Sequence, residues 1–365
     1  MPPESGKVDA APATDSGGAD KDSSSLGLSQ VLGKILQQLS ISAWVPAAML
    51  VGNGTVLLQL HADASYNIAR AVMELTGKPL GTIIILAFAL VLTTAVTQAF
   101  EFEVIRFLEG YFDSTIGPIQ AIMAWRIQRH EAKRDRFERM LGTARTNARE
   151  QAAKRMENYK AYSSEELAYL AKNPPKGSAE FDEALDQRIR SITWKHQVPS
   201  AAQYRVDSIQ ARLDSYPAKH RLLPTRLGNV LRASEDTIKL TDGENLEGYV
   251  VRHHDQLPAA LQSEHKDYRT RLDMYCCLTL AFSMLAVISG ATLYNVSPLW
   301  GMAIAVVAYV LMACLSYQAA IATARSYGLI LREIHQYLAK QASSGEAAES
   351  SALGRLLSLL HRNTV

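Results

Sequence analysis

The chain has 365 residues, of which 48% are hydrophobic, and its 38 Lys and Arg nearly balance its 36 Asp and Glu. A nucleic-acid-binding protein usually carries a strong basic excess on one domain, and none is found here, so nucleic acid is not an expected partner. Apolar and charged residues are segregated along the sequence, which indicates long apolar segments beside a polar region. The three cysteines lie in apolar runs without zinc-site spacing and are interpreted as small buried apolar residues.

The first forty residues divide into two parts. Residues 1–25 are rich in Ala, Asp, Gly, Pro and Ser; such a segment buries too little apolar surface to offset its ordering entropy, so we expect a disordered tail. Residues 26–40 carry apolar residues near helical spacing, which predicts a short amphipathic helix on the membrane surface. Its apolar positions are Leu28, Val31, Leu32, Ile35, Leu36 and Leu39.

Four segments are candidates for transmembrane helices, each of which needs about 20 apolar residues. Three are clear: Leu80 to Phe100, Met274 to Val296 and Leu299 to Ala324. The weaker candidate is Ile41 to Leu60, which contains Pro46 and is either a true span or a kinked or re-entrant segment. The spacing predicts two hairpins, residues 41–100 and 273–324, the second with a tight turn at 295–298.

Lys and Arg positions predict the orientation. They cluster after the second span, before the third and after the fourth, whereas the two hairpin connections hold only Arg70 and Lys78. Because positive residues favour the cytoplasm, both termini and the long middle segment are expected to be cytoplasmic.

The polar residues of the spans are uncharged, and the span centres contain no Asp, Glu, Lys, Arg or His. This disfavours proton relays, ion-coupled transporters and voltage sensors, which place ionisable groups at membrane depth. Hydrogen bonding between helices is the favoured role and a narrow pore lining the alternative. The residues concerned are Asn53, Thr93, Thr94, Thr97, Ser283, Ser289, Ser316 and Gln318.

Residues 101–272 are expected to form a helical cytoplasmic domain, because they contain no run of alternating apolar and polar residues typical of strands. Residues 126–160 resemble a long polar helix with a thin apolar seam, which favours coiled-coil-like helix pairing over contact with anionic lipid. Ser178 is expected to cap a later helix, and residues 249–251 to form a short extended piece. Two helices of this domain are expected to be continuous with spans two and three, and residues 325–365 to form a cytoplasmic tail.

Known catalytic motifs are missing from the sequence. It contains no phosphate-binding glycine loop, no GxSxG and no HExxH. The densest polar cluster comprises residues 252–255 with Glu264 and His265, and it is interpreted as a solvated surface rather than a metal or proton-transfer site. We therefore predict no catalytic, cofactor-binding or metal-binding residues, and a protein that is not an enzyme.

Two motifs stand out. FEFEVIRFLEGYF covers residues 100–112 and LPTRLGNVLRASED covers residues 223–236. Together they resemble an uncharacterised family of actinobacterial multi-pass membrane proteins with RxLEGYW-like and PTRLGNxLRxxE-like motifs in the same order. The resemblance covers residues 40–330 and implies a bacterial cell membrane, but no reaction. Where such proteins continue with Tyr-Gly and Trp-Pro-Arg stretches, this chain has Gly248-Tyr249 and Arg252-His253-His254.

The two motifs also have a direct physical interpretation. The first lies where the second span leaves the lipid, and a glycine in each permits close helix approach. We predict that they touch and clamp the cytoplasmic domain to the bilayer surface, with Arg226, Asn229 and Arg232 docked against the helix exit and Arg232 near Glu235 and Asp236. The candidate residues are Arg106, Glu109, Gly110, Tyr111, Pro224, Arg226, Gly228, Asn229, Arg232 and Glu235.

These observations favour a non-enzymatic membrane scaffold, sensor or effector module. Its expected partners are the lipid bilayer, further copies of the chain and a cytoplasmic protein. An oligomeric channel is the alternative hypothesis, and a membrane enzyme acting on lipid is a third.

Overall fold

A computed structural model describes residues 41–62, 70, 73, 79–111, 116–157, 162–191, 194–238, 246–294 and 297–362. Every regular element within these ranges is helical. The predicted tail (1–25), the predicted interfacial helix (26–40) and parts of both hairpin connections lie outside the described residues.

The helices follow one another in simple order. They are α1 Ile41–Ala62, α2 Leu80–Glu109, α3 Gly117–Met156, α4 Ser164–Lys172, α5 Glu183–Ser191, α6 Ser200–Leu213, α7 Arg226–Asp236, α8 Leu246–Arg252, α9 Ala259–Leu293 and α10 Leu299–Arg362. Short 3-10 turns cover Trp194–Gln197, Lys219–Arg221 and His254–Gln256.

Four helices are long and apolar enough to cross a membrane, as the sequence predicts. Their apolar stretches lie within Ser42–Ala62, Gly81–Glu109, Ala259–Leu293 and Leu299–Gln341, with mean hydropathy of 1.3, 2.2, 2.0 and 2.1. The weakest candidate, α1, is a continuous helix through Pro46. The chain is thus consistent with a multi-pass membrane protein.

Three of these helices extend beyond their apolar stretches. The α2 helix continues to Glu109, and α9 begins at Ala259, well before its apolar part. Helical continuity of spans two and three into the polar region is therefore confirmed. The α10 helix also passes residue 324 without a break.

The α9 helix is the centre of the apolar layer and packs against α10, α1 and α2. Of its most apolar window 56% is buried, against 6% for α2. Large apolar side chains of α2 such as Ile85 and Phe88 are 68% and 69% exposed. Exposed apolar surface of this extent is unfavourable in water and favourable in hydrocarbon.

On α10 the exposed face includes Cys314, so the expectation that all three cysteines are buried is wrong for this one.

The α3 to α6 helices form a polar arm, residues 117–213. The seam of α3 pairs with α6, where Leu141 and Ala144 pack against Ile209. The guanidinium of Arg145 donates to Gln210 at 2.8 Å across the same pair. Helix pairing is thus the observed role of the seam.

Two local predictions are wrong. Residues 249–251 lie in α8 rather than in an extended piece, because Val250 is fully buried in the core beside Leu272 and Ile334, and that packing overrides its β-propensity. Ser178 does not cap α5; instead Asp182 Oδ1 accepts from the N–H groups of residues 184 and 185.

One hydrophobic cluster connects the ends of the long helices. It unites α2, α7, α8, α9 and α10 through buried residues such as Ile105, Leu227, Val230 and Ile321. The α7 helix, which carries the second motif, is therefore held against both α2 and α10.

Candidate functional site

The α2 helix ends at a glycine in a conformation that other residues rarely adopt. Gly110 has φ of 98°, and its N–H donates to the carbonyl oxygens of Arg106 and Phe107 at 3.1 Å. A Cβ at Gly110 would lie 2.8 Å from Cγ of Pro224. The left-handed backbone and the contact with Pro224 both require glycine.

The side chain of Thr225 joins the second motif to the first. Its hydroxyl donates to the carbonyl oxygen of Glu109 at 2.6 Å and accepts from the N–H of Gly228 at 3.1 Å. The second bond caps α7. The first satisfies a carbonyl at the end of α2, where carbonyls lack helical partners.

The backbone of α7 lies directly on the end of α2. A Cβ at Gly228 would overlap the carbonyl oxygen of Glu109 and lie 3.0 Å from its carbonyl carbon. Backbone atoms cannot move aside as a flexible side chain can. The predicted contact between the two motifs is thus present, and it is possible because glycine at position 228 has no side chain.

A buried amide fixes the turn that precedes α7. Asn229 is fully buried, and its Oδ1 accepts from the N–H of Leu223 at 2.8 Å. Its Nδ2 donates to the carbonyl oxygens of Leu223 at 2.9 Å and Thr225 at 2.7 Å. Three hydrogen bonds offset the cost of burying this amide and hold Thr225 in place.

Aromatic and guanidinium groups form the exposed rim of the contact. Nε and Nη2 of Arg232 donate to the hydroxyl of Tyr111 at 3.3 and 3.2 Å, and Nη1 donates to the carbonyl of Arg221 at 2.7 Å. The guanidinium carbons of Arg232 and Arg106 lie 5.3 and 5.8 Å from the centre of the Tyr111 ring. Tyr111 therefore binds one arginine from each motif.

The acids at the end of α7 pair with an arginine that the sequence did not single out. Arg221 forms ion pairs with Glu235 at 2.8 Å and with Asp236. The expectation that Arg232 pairs with these acids is wrong, because its guanidinium group donates hydrogen bonds to Tyr111 instead. No helical spacing links Arg221 to the acids, so sequence periodicity gave no signal for this pair.

The α7 helix also packs closely against α10. A Cβ at Gly328 would overlap Oγ of Ser234 and lie 2.6 Å from its Cβ. The hydroxyl of Tyr317 accepts from the N–H of Leu227 at 3.3 Å. Sequence reasoning missed Gly328, Ser234 and Tyr317, whose only signal was a glycine within a long helix.

Arg226 departs from the prediction. Its exposed side chain lines a cleft together with His130 and Arg325 and does not pair with Glu109. Arg226 therefore belongs to the helix that docks at the exit of α2, while its side chain lines this cleft. As the first residue of α7, it projects towards α3 instead of α2.

The histidine cluster of the sequence is dispersed. His253 Nδ1 contacts the carbonyl of Tyr249 at 2.9 Å, whereas His265 Nε2 contacts the hydroxyl of Tyr327 at 3.1 Å. Among the residues that the structure describes, no group of three His, Cys, Asp or Glu is placed to hold a metal ion.

Comparison with protein families, with curated proteins and with solved structures finds no match to this chain. The geometry of the two motifs and their surroundings is therefore the basis on which function is inferred.

Replacing Gly228 with alanine tests the helix contact. We expect Gly228→Ala to lower the free energy of unfolding by about 3 kcal/mol, since the new methyl group overlaps the Glu109 backbone. The control is Gly142→Ala in α3, where nothing lies within 4 Å of the added Cβ; it should stabilise by about 0.5 to 1 kcal/mol. Thermal unfolding of the purified variants in detergent measures both, and equal stability of the two would contradict the contact.

A second prediction concerns pH. Burial, followed by the charges of Lys133, Arg126, Arg129 and Arg226, lowers the pKa of His130 from 6.5 to about 4. Between these values the unfolded chain takes up a proton that the folded chain does not, so stability falls as pH decreases from 6.5 to about 4. His130→Gln should lose less stability over that interval than the unsubstituted protein in thermal unfolding. An identical loss in both proteins would show that His130 does not contribute.

Proposed function

We propose that the protein is a non-enzymatic membrane scaffold, whose helical cytoplasmic arm is held in fixed geometry to two transmembrane hairpins and presented to a protein partner. Both termini are cytoplasmic in this proposal, and the membrane is that of a bacterial cell. The charge distribution supports this orientation, because Lys and Arg cluster where α2, α9 and α10 leave their apolar stretches.

The observation that carries the proposal is the double glycine contact of α7. Gly228 brings this helix onto the end of α2, and Gly328 brings α10 onto Ser234. At Gly228 the backbones of α7 and α2 touch and cannot slide without overlap, so displacement of α2 moves α7 with it. A fixed connection of this kind suits a scaffold or a sensor that transmits the state of the spans to a partner.

The polar side chains of the spans support a scaffold over a channel. Thr94 donates to the carbonyl of Leu90 at 2.8 Å, and Ser289 to the carbonyl of Ala286 at 2.9 Å, each within its own helix. Between helices, the hydroxyl of Tyr309 donates to Oδ1 of Asn53 at 3.2 Å. Thr94 and Ser289 are also fully buried, so neither side chain faces a surface that further copies of the chain could arrange around an open pore.

Reconstituted liposomes and living cells together test this proposal. Purified protein in liposomes should give no steady ion flux at any membrane potential. In cells, a proximity-labelling enzyme fused to the C-terminus should label a discrete set of cytoplasmic proteins. Gly228→Ala, which disconnects α7, should lose that labelling, while Gly142→Ala should keep it. Steady ion flux through the unsubstituted protein, or equal labelling by both variants at equal abundance, would contradict the scaffold.

A further inference from the structure

A cleft with a volume of about 580 Å³ lies where α3, the end of α6, the start of α7 and α10 meet. Cationic side chains from all four places line it. They are Lys133 and Arg136 from α3, Arg212 from α6, Arg226 from α7 and Arg325 from α10.

The positive charge of this cleft is not balanced locally. Its lining contains no carboxylate, and none of its five cations forms an ion pair with another residue in the described ranges. Two of the nearby acids are engaged elsewhere: Asp135 binds Lys219 at 2.7 Å, and Glu138 binds Arg134 at 3.2 Å. Five like charges around one space repel each other, and a bound anion relieves that repulsion.

The cleft also has an aromatic wall that carries one neutral hydrogen-bonding group, the hydroxyl of Tyr216. The ring of Tyr216 packs against His130 and Phe137 at centroid distances of 5.9 and 6.2 Å. Burial raises the pKa of Tyr216, so its hydroxyl remains a donor at neutral pH. This hydroxyl adds a directional hydrogen-bond donor to the charge of the arginines and lysine.

An apolar pocket of about 310 Å³ lies beside the cleft along α3 and α10. Ile119, Ile122 and Met123 line it from α3, and Tyr317 lines it from α10. Tyr317 precedes Arg325 of the cleft by eight residues, or about 12 Å along the helix. Ile122 is 58% exposed, so the start of α3 offers an apolar surface close to the charged cleft. An amphiphile could therefore place its apolar part and its charged head in neighbouring spaces.

We propose that the basic cleft binds a phosphate-bearing anion, with Arg226 and Arg325 as its principal guanidinium donors and Lys133 and Arg136 as supporting cations. One guanidinium group can donate two parallel hydrogen bonds to two oxygens of the same phosphate. This geometry favours phosphate over halide. The phosphate belongs either to the headgroup of an anionic phospholipid or to a soluble phosphate compound. The site is independent of the scaffold proposal.

Binding to the full-length protein in detergent tests this site. The probes are phosphatidylglycerol, phosphatidylcholine as a lipid without net charge, and inorganic pyrophosphate. Native mass spectrometry counts bound lipid, and microscale thermophoresis gives the Kd of each probe. Arg226→Gln with Arg325→Gln removes two charges from the cleft. Lys154→Gln with Arg155→Gln removes two charges from exposed positions at the far end of α3 and is the matched control.

We expect the cleft variant to bind its anionic probe at least about tenfold more weakly, and the control to stay within about twofold. Lys133→Gln with Arg136→Gln gives a second variant on exposed positions, which keeps the test valid if the first fails to fold. Tight phosphatidylglycerol binding that pyrophosphate does not displace assigns a lipid headgroup. Displacement by pyrophosphate assigns a soluble phosphate. Equal affinity for phosphatidylcholine, no binding of either anionic probe, or equal loss in the control would overturn the proposal.

Discussion

The backbone of α7 lies on the carboxyl end of α2 with no side chain between them, and the surrounding structure is arranged to maintain that contact. Gly228 leaves the space, and Gly110 turns the chain away so that Pro224 can approach. The hydroxyl group of Thr225 then forms hydrogen bonds with the backbones of both helices. The buried amide of Asn229 secures the turn, so a change at any of these positions also affects the hydrogen bonds of the others.

This contact lies where the long helices pass from their apolar stretches to charged sequence. The α2, α9 and α10 helices carry exposed apolar surface that suits hydrocarbon, and each continues into a region rich in charge. At the boundary, cationic side chains take different roles. Arg232 binds Tyr111 and supports the motif contact, whereas Arg226 lines the basic cleft. Structural support and anion binding are thus assigned to separate residues of the same short helix.

Sequence patterns predicted much of this arrangement. Length and apolar composition identified four candidate membrane helices. The helical character of the sequence after Phe100 indicated that the second helix continues beyond its apolar stretch. The glycines of the two motifs correctly indicated a close approach. The pairing of Arg221 with Glu235 was not predictable, since it joins the 3-10 turn Lys219–Arg221 to the end of α7. Burial of Val250 depends on tertiary packing, which local spacing does not encode.

The most direct test of the account is a cryo-EM structure of the full chain in lipid nanodiscs, with the separation between Oγ1 of Thr225 and the carbonyl oxygen of Glu109 as the measured quantity. The account predicts a hydrogen bond, as the present distance of 2.6 Å indicates, with the Gly228 backbone in van der Waals contact with the end of α2. A layer of lipid, water or other side chains between α7 and α2 would contradict it.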